Sequence, residues 1–323
     1  MPNSKIEFVR DNRLVKELIL VNGPPRAGKA MLGPIMGGFA RVEIYRIEYI
    51  LDAIAVFYVF GKIERDVAIA ILRREIDLKL YNSMISRMIN FRFTDHGGVI
   101  NNANPLRYFK RLFFKDGAAV VKRIKDEKPI FQVQSHNIVE NIDLYLDAFG
   151  DGLRILDMVR HPIDRVYSMN KRGDGTEIGV NPRFMSLTIK YKGECLPWYA
   201  IGWEDEYLKD SPIDRQIKIA QSLNKKRIDK LKLLSPAQKN QILVIPYEKF
   251  ATSPDQYLKT IESFINSEMT KHINKILRKK KIPMKINPED RVKKLKTIKE
   301  IASNECLEIL DGLSEEYEAL YLR

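Results

Sequence analysis

"VNGPPRAGKAML", Val21 to Leu32, decides how this chain is read. A short apolar run, Leu18 to Val21, leads into a loop with two glycines and two prolines, and a helix is expected to begin within Lys29 to Ile35. Strand, glycine-rich turn and helix in that order bring the free amides of a helix start close to anionic oxygens, and Arg26 and Lys29 add charge. Gly23, Gly28 and Lys29 satisfy G-x-x-x-x-G-K, but Ala30 stands where a nucleotide hydrolase or kinase carries the hydroxyl that holds magnesium. The loop suits a phosphate-bearing ligand handled without a metal. The competing reading is a simple turn with solvated basic residues.

Three further apolar runs have the β-branched, turn-bounded character of buried strands: Ile130 to Val133, Ile155 to Val159 and Ile242 to Ile245. Between the runs lie helical spacings at Asp66 to Leu80, Ile138 to Phe149 and Ile213 to Leu234. Strands alternating with helices predict an α/β fold, a central parallel sheet flanked by helices, with its ligand crevice at the carboxyl ends of the strands. The stretches Gly173 to Phe184 and Lys279 to Asp290 read as loops. One domain over residues 1–323 is expected, because 323 residues at 45% hydrophobic and 30% charged composition suffice for a globular core.

Lysine and arginine outnumber acids 55 to 42, a formal charge of +13 that favours anionic partners without choosing among phosphates, sulfates, nucleic acid and acidic glycans. Cys195 and Cys306 lack disulfide or zinc spacing, which suits a reducing compartment. The first residues offer no signal-peptide core, and Ala53 to Phe60 is too short to span a bilayer, so the expectation is a soluble, cytoplasmic protein with no membrane span.

The run "RILDMVRHPIDRVYSM" carries the second motif. It passes from a buried strand into Arg160, His161 and Pro162, with Ser168 eight residues beyond Arg160. If Pro162 opens a helix, Ser168 lies about two turns in, and an arginine at a strand end with a hydroxyl nearby is a fitting phosphate clamp.

Together these residues resemble the sulfotransferases that use 3′-phosphoadenosine 5′-phosphosulfate (PAPS). The first loop is similar to the family's P-[RK]-S-G-[TS]-[TS], here Pro25, Arg26, Ala27, Gly28, Lys29 and Ala30. "VRHPIDRVYS" resembles V-R-x-P-x-[DE]-x-x-x-S, and "ILVIPYEKFATSPDQYLKTIESFI" resembles the strand and helix around Y-E-D-L-x-x-x-P, with Tyr247, Glu248, Phe250 and Pro254 in register. The resemblance runs over Leu18 to Ile265. Its loop departs from the family pattern at Ala27, Lys29 and Ala30, where hydroxyl residues are usual, so 5′-phosphate binding would rest on backbone amides, Arg26 and Lys29.

The resemblance implies sulfuryl transfer from PAPS to an acceptor hydroxyl or amine, without a metal. It implies that Arg26, shared with or replaced by Lys29, stabilises charge on the bridging oxygen of the leaving group, and that Arg160 and Ser168 hold the 3′-phosphate. Tyr247 is placed against the adenine or, equally, in the core. Two residues compete as general base. His136, in "IFQVQSHN", precedes Arg160 by 24 residues and resembles the histidine of K-x-H, with Gln134 in the lysine's place. Glu48 follows Arg26 by 22 residues, near the glutamate of carbohydrate and tyrosyl-protein sulfotransferases. An imidazole is a suitable base near neutrality whereas a glutamate needs burial, which favours His136. His96, His161 and His272 have no such setting.

The resemblance also implies that the basic carboxyl-terminal segment, 278–323, offers Arg291 or a residue of Arg278 to Lys281 to the 3′-phosphate, with a solvated basic surface as the alternative account of most of its lysines. The aromatic and cationic stretch 83–123, with "FRFTDHGG" and "LRYFKRLFF", is the expected acceptor wall, or else an amphipathic core helix. A glycan or small molecule is the expected acceptor, with no specific nucleic acid. The alternatives are a small-molecule kinase, which Ala30 and the Arg160 and Ser168 pair disfavour, and a non-catalytic binder of anionic polymers, which leaves the ordered motifs unexplained.

Overall fold

The computed structural model describes residues 6–95 and 97–322, so His96 lies outside the described residues. All four expected strands form, as β1 (Glu17–Asn22), β2 (Ile130–Gln134), β3 (Leu153–Val159) and β6 (Ile242–Pro246), paired in parallel in the order β2-β1-β3-β6. Strands β4 (Thr188–Tyr191) and β5 (Glu194–Pro197) make a separate antiparallel hairpin.

Helices α1 (Lys29–Met36), α2 (Tyr49–Val59), α3 (Arg65–Ser83), α4 (Pro105–Arg111) and α5 (Ala118–Glu127) lie between β1 and β2. Helix α6 (Ile142–Phe149) joins β2 to β3, and α7 (Pro162–Arg172) with α8 (Asp174–Glu177) follows β3. Beyond the hairpin come α9 (Glu204–Lys209), α10 (Pro212–Leu233) and α11 (Pro236–Lys239). After β6 the chain continues as α12 (Tyr247–Thr252), α13 (Pro254–Ile265), α14 (Ile273–Lys279), α15 (Pro288–Lys299) and α16 (Asn304–Tyr321).

The period of two along the strands builds three layers. Leu18 and Leu20 of β1 pack with Leu51, Ile54, Leu72, Ile76 and Tyr145 from α2, α3 and α6. Their neighbours Ile19 and Val21 face the other way, toward Leu32 and Ile35 of α1 and Leu258 and Ile261 of α13. A parallel strand covered on both faces has no polar side, which is why these runs are predominantly apolar.

Helix α6 starts later than its spacing predicts, after a 3₁₀ turn over Val139–Asn141. The Ile138 amide donates to Asn22 Oδ1 at 2.8 Å, which ties the entry of this segment to the end of β1. Asn22 Nδ2 in turn donates to Asp157 Oδ1 at 2.8 Å, and Asp157 Oδ2 accepts from Arg227 Nε at 2.6 Å. The ends of β1 and β3 are thereby locked side by side. The chain leaves β1 for a strand on one side and β3 for a strand on the other, so these two ends flank the crevice where such sheets take ligands.

Helix α4 is anchored by charge. Glu43, fully buried, accepts from Arg111 Nη1 at 2.6 Å, from Ser83 Oγ at 3.1 Å and from the Tyr108 hydroxyl at 3.2 Å, and also binds Arg107. Burial pushes this carboxyl up, but the two guanidiniums outweigh it and hold it at about 2. No helix among the described residues is long and apolar enough to cross a membrane.

Candidate active site

The loop after β1 turns on two glycines. Gly23 and Gly28 adopt φ of 138° and 102°. A Cβ on Gly28 would collide with the Tyr247 ring, so the loop and the start of α12 touch only because that side chain is absent. No side chain caps α1, and its first amides are left for a ligand. Arg26 is also left-handed, at φ 65°, which turns its side chain toward α7.

There the loop meets the second and third motifs. Arg26 Nε donates to Ser168 Oγ at 2.6 Å, and Arg160 Nη1 donates to the Arg26 carbonyl at 3.2 Å. The Arg160 guanidinium lies over the Tyr247 ring, 4.4 Å from its centroid. Arg26, Arg160, Ser168 and Tyr247, from three separated stretches, therefore form one cluster at the carboxyl ends of β1, β3 and β6. Arg165, one turn into α7, donates from Nε to the Pro25 carbonyl at 3.3 Å, and burial lowers it to about 10. Arg160 Nε and Arg165 Nη2 are buried with no hydrogen-bond partner among the described residues. Unpaired buried guanidinium nitrogens beside a glycine-rich helix start fit phosphate oxygens.

Lys29 runs back under the loop, where Nζ donates to the carbonyls of Pro24, at 2.9 Å, and of Gly23. Burial lowers it to about 7. Ala27 is buried, and Ala30 opens instead into a second cleft, lined also by Arg46, Glu48, Met88 and Asn90.

At the end of β2, His136 stands against α2. Its Nδ1 lies 3.2 Å from Asp52 Oδ2, and its amide donates to Asp52 Oδ1 at 2.9 Å. The Tyr49 ring stacks on the imidazole with the planes 6° apart. Asp52 accepting from Nδ1–H leaves Nε2 as the proton acceptor. Burial, and then the charge of Lys29, lower the imidazole below its ordinary value, so it is neutral near pH 7 despite Asp52.

His136 opens into a cleft of about 390 Å³ that reaches Pro25 of the loop. Its aromatic walls are Tyr49, Phe184, Trp198 and Tyr199, and Asn137 and Arg172 add polar groups. The wall thus comes from α2, from the segment between α7 and the β4–β5 hairpin, and from the turn that follows the hairpin. No residue of 83–123 lines this cleft among the described residues; part of that stretch lines the Ala30 cleft. Arg107 and Arg111 are spent on Glu43, a carboxylate whose place in the sequence gives no hint of its burial.

The other two candidates are engaged elsewhere. Glu48 pairs with Lys79 Nζ at 2.8 Å and faces Arg46 at 4.0 Å, in the Ala30 cleft. Arg291, on α15, binds Asp164 at 3.2 Å and approaches Glu248 at 3.7 Å. Both carboxylates belong to the motif stretches, so the basic segment braces them from behind.

No protein-family model and no curated protein sequence matches the chain. Several solved structures that it resembles are sulfotransferases. Sulfotransferase STF9 from Mycobacterium avium is 12% identical, with 96% of this chain and 78% of that one covered and a TM-score of 0.48. The sulfotransferase domain from the Synechococcus PCC 7002 olefin synthase is 13% identical, with 97% and 98% covered and a TM-score of 0.47. The sulfotransferase domain from the Curacin biosynthetic pathway is 12% identical, with 94% and 99% covered and a TM-score of 0.46. At such distances the chemistry of the site is read from this chain's own side chains.

Sequence reading missed Asp52 and Tyr49. Asp52 had a signal: it is the lone acid in "YILDAIAVFYV", a run otherwise without charge.

Proposed function

We propose that this chain is a PAPS-dependent sulfotransferase acting on an acceptor hydroxyl or amine. The observation that carries the reading is the cluster of Arg26, Arg160, Ser168 and Tyr247 beside a cleft that contains a neutral, carboxylate-oriented histidine. Arg160 and Ser168 bind the 3′-phosphate, Tyr247 packs against the adenine, and the amides at the start of α1 hold the 5′-phosphate. PAPS supplies the sulfuryl group. His136 Nε2 takes the acceptor's proton as the acceptor oxygen or nitrogen bonds to sulfur and the bond from sulfur to the bridging oxygen breaks. Lys29, together with Arg26, stabilises the charge left on that oxygen. The Tyr49, Phe184 and Trp198 walls orient the acceptor and exclude water.

Titration with 3′-phosphoadenosine 5′-phosphate in excess chelator, against ATP with magnesium, tests this. The 3′-phosphorylated ligand is expected to bind more tightly, and PAPS turnover to survive EDTA. Preference for ATP with magnesium, with activity lost to EDTA and restored by the metal, would overturn it in favour of a kinase.

A further inference from the structure

Helix α4 and the turn that extends it carry their arginines inward and most of their hydrophobic side chains outward. Arg107, Tyr108 and Arg111 point at buried Glu43. Leu106, Phe109 and Phe113, spaced i, i+3 and i+7, are 67%, 40% and 88% exposed, and Leu112 is exposed beside them. The turn is continuous with the helix, because the Phe113 amide donates to the Lys110 carbonyl at 3.2 Å. Phe109 touches Phe91 at 5.4 Å between centroids, which joins the stripe to the segment bearing exposed Phe93. A surface helix ordinarily turns its apolar stripe inward, so this inversion leaves an apolar ridge facing outward, held rigidly by a buried ion network.

The charges around the ridge select what covers it. Lys110 and Lys115 are exposed and form no ion pair among the described residues. The nearby acids Asp95 and Asp116 are held by Arg92 and Arg87. Exposed phenylalanine and leucine with unpaired lysines on the same turn match the depth profile of a bilayer, apolar groups in the acyl boundary and cations among anionic headgroups. We infer that this ridge docks the enzyme on an anionic membrane surface. A second copy of the chain would bring Lys110 and Lys115 against their own counterparts, which disfavours self-association.

Co-sedimentation of the full chain with vesicles of phosphatidylcholine, alone or mixed with phosphatidylserine, provides the test. Binding to the anionic vesicles is expected. L106S/F113S and K110E/K115E are each expected to lower the partition coefficient about tenfold or more, since each surface lysine contributes on the order of a fivefold factor near anionic lipid. The four side chains are exposed, and an unchanged melting temperature checks that the variants fold. Lack of binding, or binding that L106S/F113S leaves intact, would overturn the inference, the latter by assigning adhesion to the overall charge. A lipid-independent dimer that L106S/F113S dissolves would overturn it in favour of an interface between copies.

Discussion

Arg160 donates to the loop backbone, covers Tyr247 and keeps one buried nitrogen unpaired among the described residues, so its removal tests the proposed donor pocket directly. Arg160→Ala is expected to weaken binding of the 3′-phosphorylated nucleotide by about 1.5–3 kcal/mol and to leave the analogue without that phosphate almost unaffected, as isothermal titration would read. His136→Ala is expected to lower kcat by about 10²–10⁴-fold with nucleotide affinity kept. The base must be neutral, so the wild-type rate rises with pH through the histidine's titration. With that imidazole lowered by burial, the acidic limb falls below 6.5, and it disappears in the variant. If His136 is the base, Asp52 acts through it as a positioning residue, and Asp52→Asn is expected to lower kcat by about 10²-fold or more with little change in KM, as in other imidazoles that lose the partner fixing their tautomer. A mild Asp52→Asn beside a severe Glu48→Gln would transfer the role to Glu48. Lys29 titrates in the opposite sense: lowered to about 7, it loses its charge as pH rises through that value, and nucleotide affinity is expected to fall there.

Among the elements, the four strands were legible because each carries a predominantly apolar run, broken only by Gln132 in β2 and Asp157 in β3, the pattern of a parallel strand covered on both faces. The strand-turn-helix motif of the first loop was legible for a related reason, since a strand end, a glycine turn and a helix start are adjacent in sequence. Helix α4 was not. Its outward and inward faces are both amphipathic on paper, and what decides between them is Glu43, over 60 residues away. Breaking a buried charge network by removing one partner costs on the order of 3–5 kcal/mol, so Arg111→Ala is expected to be among the most destabilising single changes by denaturant titration. The pH dependence has a fixed sign. Glu43 is lowered on folding, so its stabilisation is complete above about 4.5 and is lost as pH falls toward about 2, and Glu43→Gln should flatten the acid limb of stability over that window.

At the scale of the whole molecule, convergence was the hidden quantity. Spacing along the chain cannot tell that Arg26 reaches Ser168, that Arg291 braces Asp164, or that residues 172–199 join α2 in the wall of the histidine cleft. Each depends on how helices dock, and docking is settled by packing and not by local pattern. The hairpin between the wall residues Leu187 and Trp198 has its own consequence. It shares no hydrogen-bonded edge with the main sheet, and it rests on α10 through Leu196, Ala200, Ile219 and Leu223. Arg26, Arg160, Ser168 and Tyr247, the residues proposed to bind the donor, lie outside it. On the proposed reading the segment is an exchangeable cassette: a graft between α8 and α9 is expected to change which acceptor is used while affinity for the 3′-phosphorylated nucleotide stays as it was.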